Sequence, residues 1–157
     1  MIRHTAALLA CALLVACRTG APGADSAMPI GTLAMAPQDA PVTVQGRVTA
    51  RFDALGGWFV QDAGDGDPAS SDAIFVAADP AWTLRPGERV RVRGRVIEHG
   101  EPGHGTLTSL QPRAIERLGQ GKVAPVVLRQ APDDWERLEG MRVRIEDVAE
   151  AAGVSMK

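Results

Sequence analysis

Four arginines alternate with valines in Arg89-Val90-Arg91-Val92-Arg93-Gly94-Arg95-Val96. A period of two puts all four guanidinium groups on one side of an extended strand. Guanidinium groups in a row can grip phosphates, and aromatic rings nearby can stack on bases. The candidate surface for single-stranded DNA or RNA is therefore Arg91, Arg93 and Arg95, joined by Arg47 and Arg51 from a strand expected to pair nearby. Trp58, Phe59 and Phe75 would be its stacking rings. The competing reading is a solvated sheet face whose arginines pair with acids. Residues 42–119 hold nine arginines against ten Asp and Glu, without the basic excess of a strong nucleic-acid binder. The aromatics carry the same ambiguity. Trp58 and Phe59 point to opposite faces of a strand, so one of them is core, and core is the commoner fate for such rings.

A second group of chemically able residues is acidic. Asp62, Asp65, Asp67 and Asp72 crowd into one short stretch and offer the hard oxygen ligands that calcium takes. No Glu follows at the EF-hand distance, and Asp and Gly together are ordinary turn formers. Calcium is the only cofactor these residues suggest. His99 and His104 flank Glu101 in a Gly-rich loop with no rigid support, so zinc is not expected there.

These residues need elements to hold them. Gly56-Gly57-Trp58-Phe59-Val60-Gln61 and Ile74-Phe75-Val76 have strand composition, and the Asp, Gly, Pro, Ser and Ala residues between them must loop. Val42 to Phe52 alternates. Val42, Val44, Val48, Ala50 and Phe52 are expected on one face, with Thr43, Gln45, Arg47, Thr49 and Arg51 on the other. Gly46 and Gly94 fall in mid-strand, as suits a small sheet that curls and closes. Asp79 to Leu84 reads as a helical turn from which Trp82 and Leu84 plug the core. Residues 106–118 supply a fifth strand, broken at Pro112. The prediction is all-β: a five-stranded OB-fold-like barrel over residues 42–119, with another small barrel or sandwich as the alternative. The ligands of that fold favour the second and third strands, whereas the arginine stripe lies on the first and fourth. Residues 120–157 read as a C-terminal extension. It either packs back on the barrel or opens a second β unit in a chain that stops short, and the second is favoured.

The formal charge of −2 gives no global field that would draw nucleic acid. At the N-terminus a short basic start precedes an apolar run, Thr5 to Ala16, below the ~20 residues of a spanning helix. It ends in Leu14-Val15-Ala16-Cys17, which resembles a bacterial lipobox. That resemblance implies a signal peptide over residues 1–16, cleavage before Cys17, and lipid on Cys17 that tethers the protein to the membrane. Arg18, rather than Asp, after the cysteine leans towards the outer membrane. Cys11 leaves with the signal, so no disulfide is expected. Residues 17–41, rich in Ala, Pro and Gly, read as a flexible tether, and Ile30 to Met35 is given no element.

Several ordered blocks resemble the N-terminal region of bacterial extracellular nucleases. They are Gly56 to Asp62, the Gly64 to Asp72 loop, Ile74-Phe75-Val76, and Trp135-Glu136-Arg137-Leu138-Glu139-Gly140-Met141. The resemblance implies an OB-fold module placed before a catalytic domain of the endonuclease/exonuclease/phosphatase class. That chemistry needs a divalent metal held by acids and Asn, with a His. This chain has no Asn, and no part of it supplies such a site. It is expected to be a non-enzymatic accessory module that binds nucleic acid weakly and works beside a separate nuclease domain. The rival is an envelope protein-interaction or structural module.

Overall fold

The computed structural model describes residues 26–77, 79, 81–100 and 106–146. Among the described residues there are seven strands: β1 Pro41–Phe52, β2 Gly57–Gln61, β3 Ala73–Ala77, β4 Glu88–His99, β5 Leu107–Gln120, β6 Val126–Leu128 and β7 Val143–Ile145. The first five close into a barrel in the order β1-β2-β3-β5-β4. All its pairings are antiparallel except β3 with β5, which is parallel. This is the OB-fold ring expected from the strand pattern. Among the described residues, no helix is long and apolar enough to cross a membrane.

Burial follows the period of the strands. Val44, Val48, Val60, Val76, Val90, Val92 and Leu110 are completely shielded from solvent, and Trp58 and Ile74 join them inside. The mid-strand glycines mark where backbones press together. A Cβ on Gly94 would collide with the Gln111 carbonyl oxygen, and one on Gly46 would lie 2.7 Å from that of Gln61. Opposite Gly94 sits Pro112, at an irregularity in the β4–β5 register. There β5 bends without breaking, so the fifth strand is one continuous element of 14 residues.

Four sequence expectations are corrected. Residues 28–40 are part of the domain and not tether. Ile30–Met35 forms a 3₁₀ helix whose Ile30 and Leu33 enter the core, and Met28 bridges to Val44. Secondly, β1 carries a bulge between Val48 and Ala50. One extra residue reverses the side on which every later side chain falls. Ala50 and Phe52 therefore leave the valine face, and Arg51 turns to the Trp58 side. Thirdly, Trp82 is only half-buried and Leu84 alone fills the core at that turn. Lastly, the C-terminal extension packs back on the barrel. Gly140 lies against the Phe59 ring, where a Cβ would meet Cδ1. Ser71 Oγ donates to the Glu139 carbonyl at 2.7 Å, and the Arg142 amide donates to Gln61 Oε1 at 2.9 Å. On either side of that seal in the chain, β6 and β7 pair as a separate two-stranded parallel sheet.

Gly94→Ala should cost about 1–3 kcal/mol, because the new methyl meets backbone and not a side chain that can swing away. Met35→Ala, at a side chain 89% exposed, should stay within about 0.5 kcal/mol of the parent. Urea midpoints of the two variants decide it. Equal midpoints would mean that the close approach at Gly94 does not constrain the ring.

Candidate nucleic-acid interface

The alternation of β4 turns Val90, Val92 and Val96 into the barrel and Arg89, Arg91, Arg93 and Arg95 to its outside. On one flank β1 contributes Thr43, Gln45 and Arg47; on the other β5 contributes Gln111, Ala114 and Glu116. Arg47 and Arg89 are register partners, directly opposite each other across the β1–β4 pair. Like charges in that position repel. Arg47 is also tightly held. The Nε of Arg47 is shielded from solvent without a hydrogen-bond partner, and a Cβ on Gly121 would lie 2.6 Å from it.

Part of the positive charge is neutralised internally. Arg91 donates to Glu116 Oε2 at 2.8 Å. Arg95 donates to Gln111 Oε1 at 3.0 Å and lies 3.6 Å from Asp39. These pairs are solvent-exposed in whole or part and contribute little to stability. Arg89 and Arg93 are exposed along the same strand, and Arg93 is also engaged within the protein.

The remaining candidates do not join this face. Trp58 lies inside the barrel at 2% exposure, its indole N–H without a partner. Arg51 sits over its ring, 5.8 Å from the centroid, and pairs with Asp53. Phe59 and Phe75 are on the outer surface of β2 and β3, yet both are buried. They belong to an edge-to-face row running from Phe52 through Phe59 to Phe75, with centroids 5.2 and 5.3 Å apart. His99 tilts against the far end of that row at 5.1 Å. The C-terminal extension covers Phe59. None of the three proposed stacking rings therefore offers a face to a base. What the sequence reading missed is the covering segment itself. Its trace in the sequence is Gly140, which takes the left-handed conformation, φ 68°, at its contact with Phe59.

The acidic loop is built for its own backbone. Asp62 accepts from the Ile30 and Gly64 amides at 2.8 Å each. Asp65 accepts from the Asp67 amide and Asp67 from that of Ala69, both at 2.9 Å. These carboxylates tie turns. Among the described residues, no group of three His, Cys, Asp or Glu side chains is placed to hold a metal, so the calcium expectation finds no site. His104 and Glu101 of the zinc reading lie outside the described residues, as does Cys17. Burial pushes the Asp72 carboxyl above its ordinary value. The Asp65 amide works against that shift, and the charges of Asp62, Asp65 and Asp67 add to it.

No family model matches the chain, and no curated protein matches it significantly. Among solved structures it is similar to the hypothetical protein ygiW from E. coli. The two share 18% identity over 61% of this chain and 94% of that one, with a TM-score of 0.46.

A folded-state value raised above 3.8 means that ionised Asp72 works against the fold. That cost is complete above the raised value and vanishes below the unfolded one. Asp72→Asn, which can still accept from the Asp65 amide, should melt higher than the parent at pH 7. The gap should shrink as pH falls through the raised value and close below 3.8. Melting curves across that range test it, and a gap independent of pH would refute the assignment.

Proposed function

We propose that this chain is a non-catalytic OB-fold module that binds single-stranded nucleic acid weakly through the outer face of β1 and β4. The observation that carries the reading is the apposition of Arg47 and Arg89, continued by the exposed Arg93 on the same face. A phosphate bound beside these two strand neighbours would offset their like charge and gain charge-assisted hydrogen bonds. With the aromatic rings buried, contact is to the backbone alone, which positions a strand without reading its sequence. The internal pairing of Arg91 and Arg95 keeps affinity low. The same pairing, with the buried rings, favours the second reading, a barrel that serves the envelope as a protein-binding scaffold.

The resemblance to extracellular nucleases supplies the context of this proposal. The module would present a strand to a separate hydrolytic domain, and lipid on Cys17 would hold it at the membrane, in the outer membrane given Arg18 rather than Asp after the cysteine. Support for the anchor comes from Leu14-Val15-Ala16-Cys17, placed directly after the apolar run.

Anisotropy of a labelled oligothymidylate should report binding at low salt. About three phosphate contacts on a single strand give a log K against log salt slope near −2. Arg89→Gln with Arg93→Gln should flatten that slope by about 1.4 and weaken binding at least several-fold. Absence of binding at low salt leaves the scaffold reading standing.

The anchor has its own test. Cells expressing the full chain and fed a radiolabelled fatty acid should label it, and Cys17→Ser should abolish the label. Equal labelling of both would rule out lipid on Cys17.

A further inference from the structure

The parallel sheet of β6 and β7 is unfinished. The Val126 amide donates to the Arg142 carbonyl at 2.9 Å, and the Glu146 amide donates to the Leu128 carbonyl at 2.8 Å. In that register, Val126 to Val143 and Leu128 to Ile145, the main-chain groups of Arg144 also turn towards β6. Those of Val143 and Ile145 therefore point outwards along the other edge of β7, with no strand beside them among the described residues. Two strands alone are marginal in water, and an unpaired edge is a template for a further strand. We propose that β7 pairs antiparallel with β7 of a second copy, about a two-fold axis at Ile145, so that the chain forms a dimer. This surface is separate from the arginine face and does not rest on the nucleic-acid reading.

Hydrogen-bond direction and charge together select that axis. In an antiparallel pair, residues directly opposite each other either both exchange main-chain bonds or both face away. The axis must therefore fall on an outward residue, Val143 or Ile145. An axis on Val143 sets Arg144 against Arg142 of the second copy, and like charges directly opposite repel. A parallel, in-register pairing sets Arg144 beside Arg144 of the second copy, with the same result. An axis on Ile145 sets Arg144 against Glu146 of the second copy, and symmetry repeats that attractive pair on the other side of the axis. In this register alone the strand is complementary to itself.

The apolar residues agree with it. Val126, Leu128, Val143 and Ile145 share one face of the sheet, with Val127 and Arg144 on the other. None of these side chains is buried, and Ile145 is 49% exposed. Pairing about Ile145 sets the two Ile145 side chains next to each other. It doubles the two-stranded sheet and makes its apolar face continuous across the axis. Edges that proteins keep apart carry Pro, Lys or a bulge, and residues 143–146 have none of these. Their one cation is already matched by a carboxylate, since Arg144 donates to Glu146 Oε1 at 2.6 Å. That pair is exposed, so exchanging it for pairs across the axis costs little.

Sedimentation velocity of the full chain at about 100 μM should show dimers that dissociate on dilution. Arg144→Glu and Glu146→Arg, at side chains 60% and 38% exposed, should each weaken self-association about tenfold or more and leave the melting temperature little changed. An equimolar mixture of the two variants should dimerise again, because opposite charges then meet across the axis although each chain carries like charges within itself. In a chain with Cys11→Ser and Cys17→Ser, Ile145→Cys should form a disulfide-linked dimer under mild oxidation. Residues opposite each other at the axis have Cα atoms about 5.5 Å apart, within disulfide reach. Val143→Cys in the same background should not cross-link. A monomeric parent at that concentration overturns the proposal and leaves the edge to a strand of some other protein. So do dimers of unchanged strength in both single variants, a mixture that stays monomeric while the parent dimerises, or cross-linking through Val143→Cys instead of Ile145→Cys.

Discussion

Two residue pairs close the ring. Phe75 opposite Ser109 and Val76 opposite Leu110 join β3 to β5 in parallel, and without that short seam the five strands would be an open sheet with two raw edges. Closure has a geometric condition. Long strands must bend sharply enough to return to their neighbours, and the glycines at 46 and 94 allow backbones to approach where a side chain would collide. The interior that results is narrow and filled by β-branched residues, with one large indole among them.

Closing a ring of alternating strands also fixes its outside. Once Val90, Val92 and Val96 are committed to the interior, the four arginines between them have nowhere to go but out. Their density is a consequence of the period; the opposition of Arg89 to Arg47 is a consequence of the ring, because β1 is the strand that β4 meets on closure. The opposite surface develops differently. Phe59 and Phe75 are turned outwards by the same alternation, and the protein removes them from water by folding its own C-terminal segment across Phe59. An aromatic row is thus sealed on one flank and a guanidinium row left wet on the other.

The acidic loop shows how local chemistry can resemble a site without becoming one. Four aspartates within a few residues look like a cation cage, yet each is engaged with a nearby main-chain amide. Asx turns use the same oxygen atoms that a metal would need. The electrostatic cost is concentrated on Asp72, whose ionisation the burial and the neighbouring charges oppose.

The five strands, their outward arginines and the curl at the two glycines were legible in the sequence, because period-two alternation and mid-strand glycine are local patterns with local causes. The continuity of β5 through Pro112, the reversal of Arg51 past the bulge in β1, the entry of Ile30 and Leu33 into the core, and the burial of all three candidate stacking rings were not. Each depends on what another part of the chain does to that position. A bulge is recognised only against the strand it pairs with, and a ring facing outward is exposed only if nothing folds over it. Alternation sets which way a side chain points; contacts distant in sequence decide whether water is there to meet it.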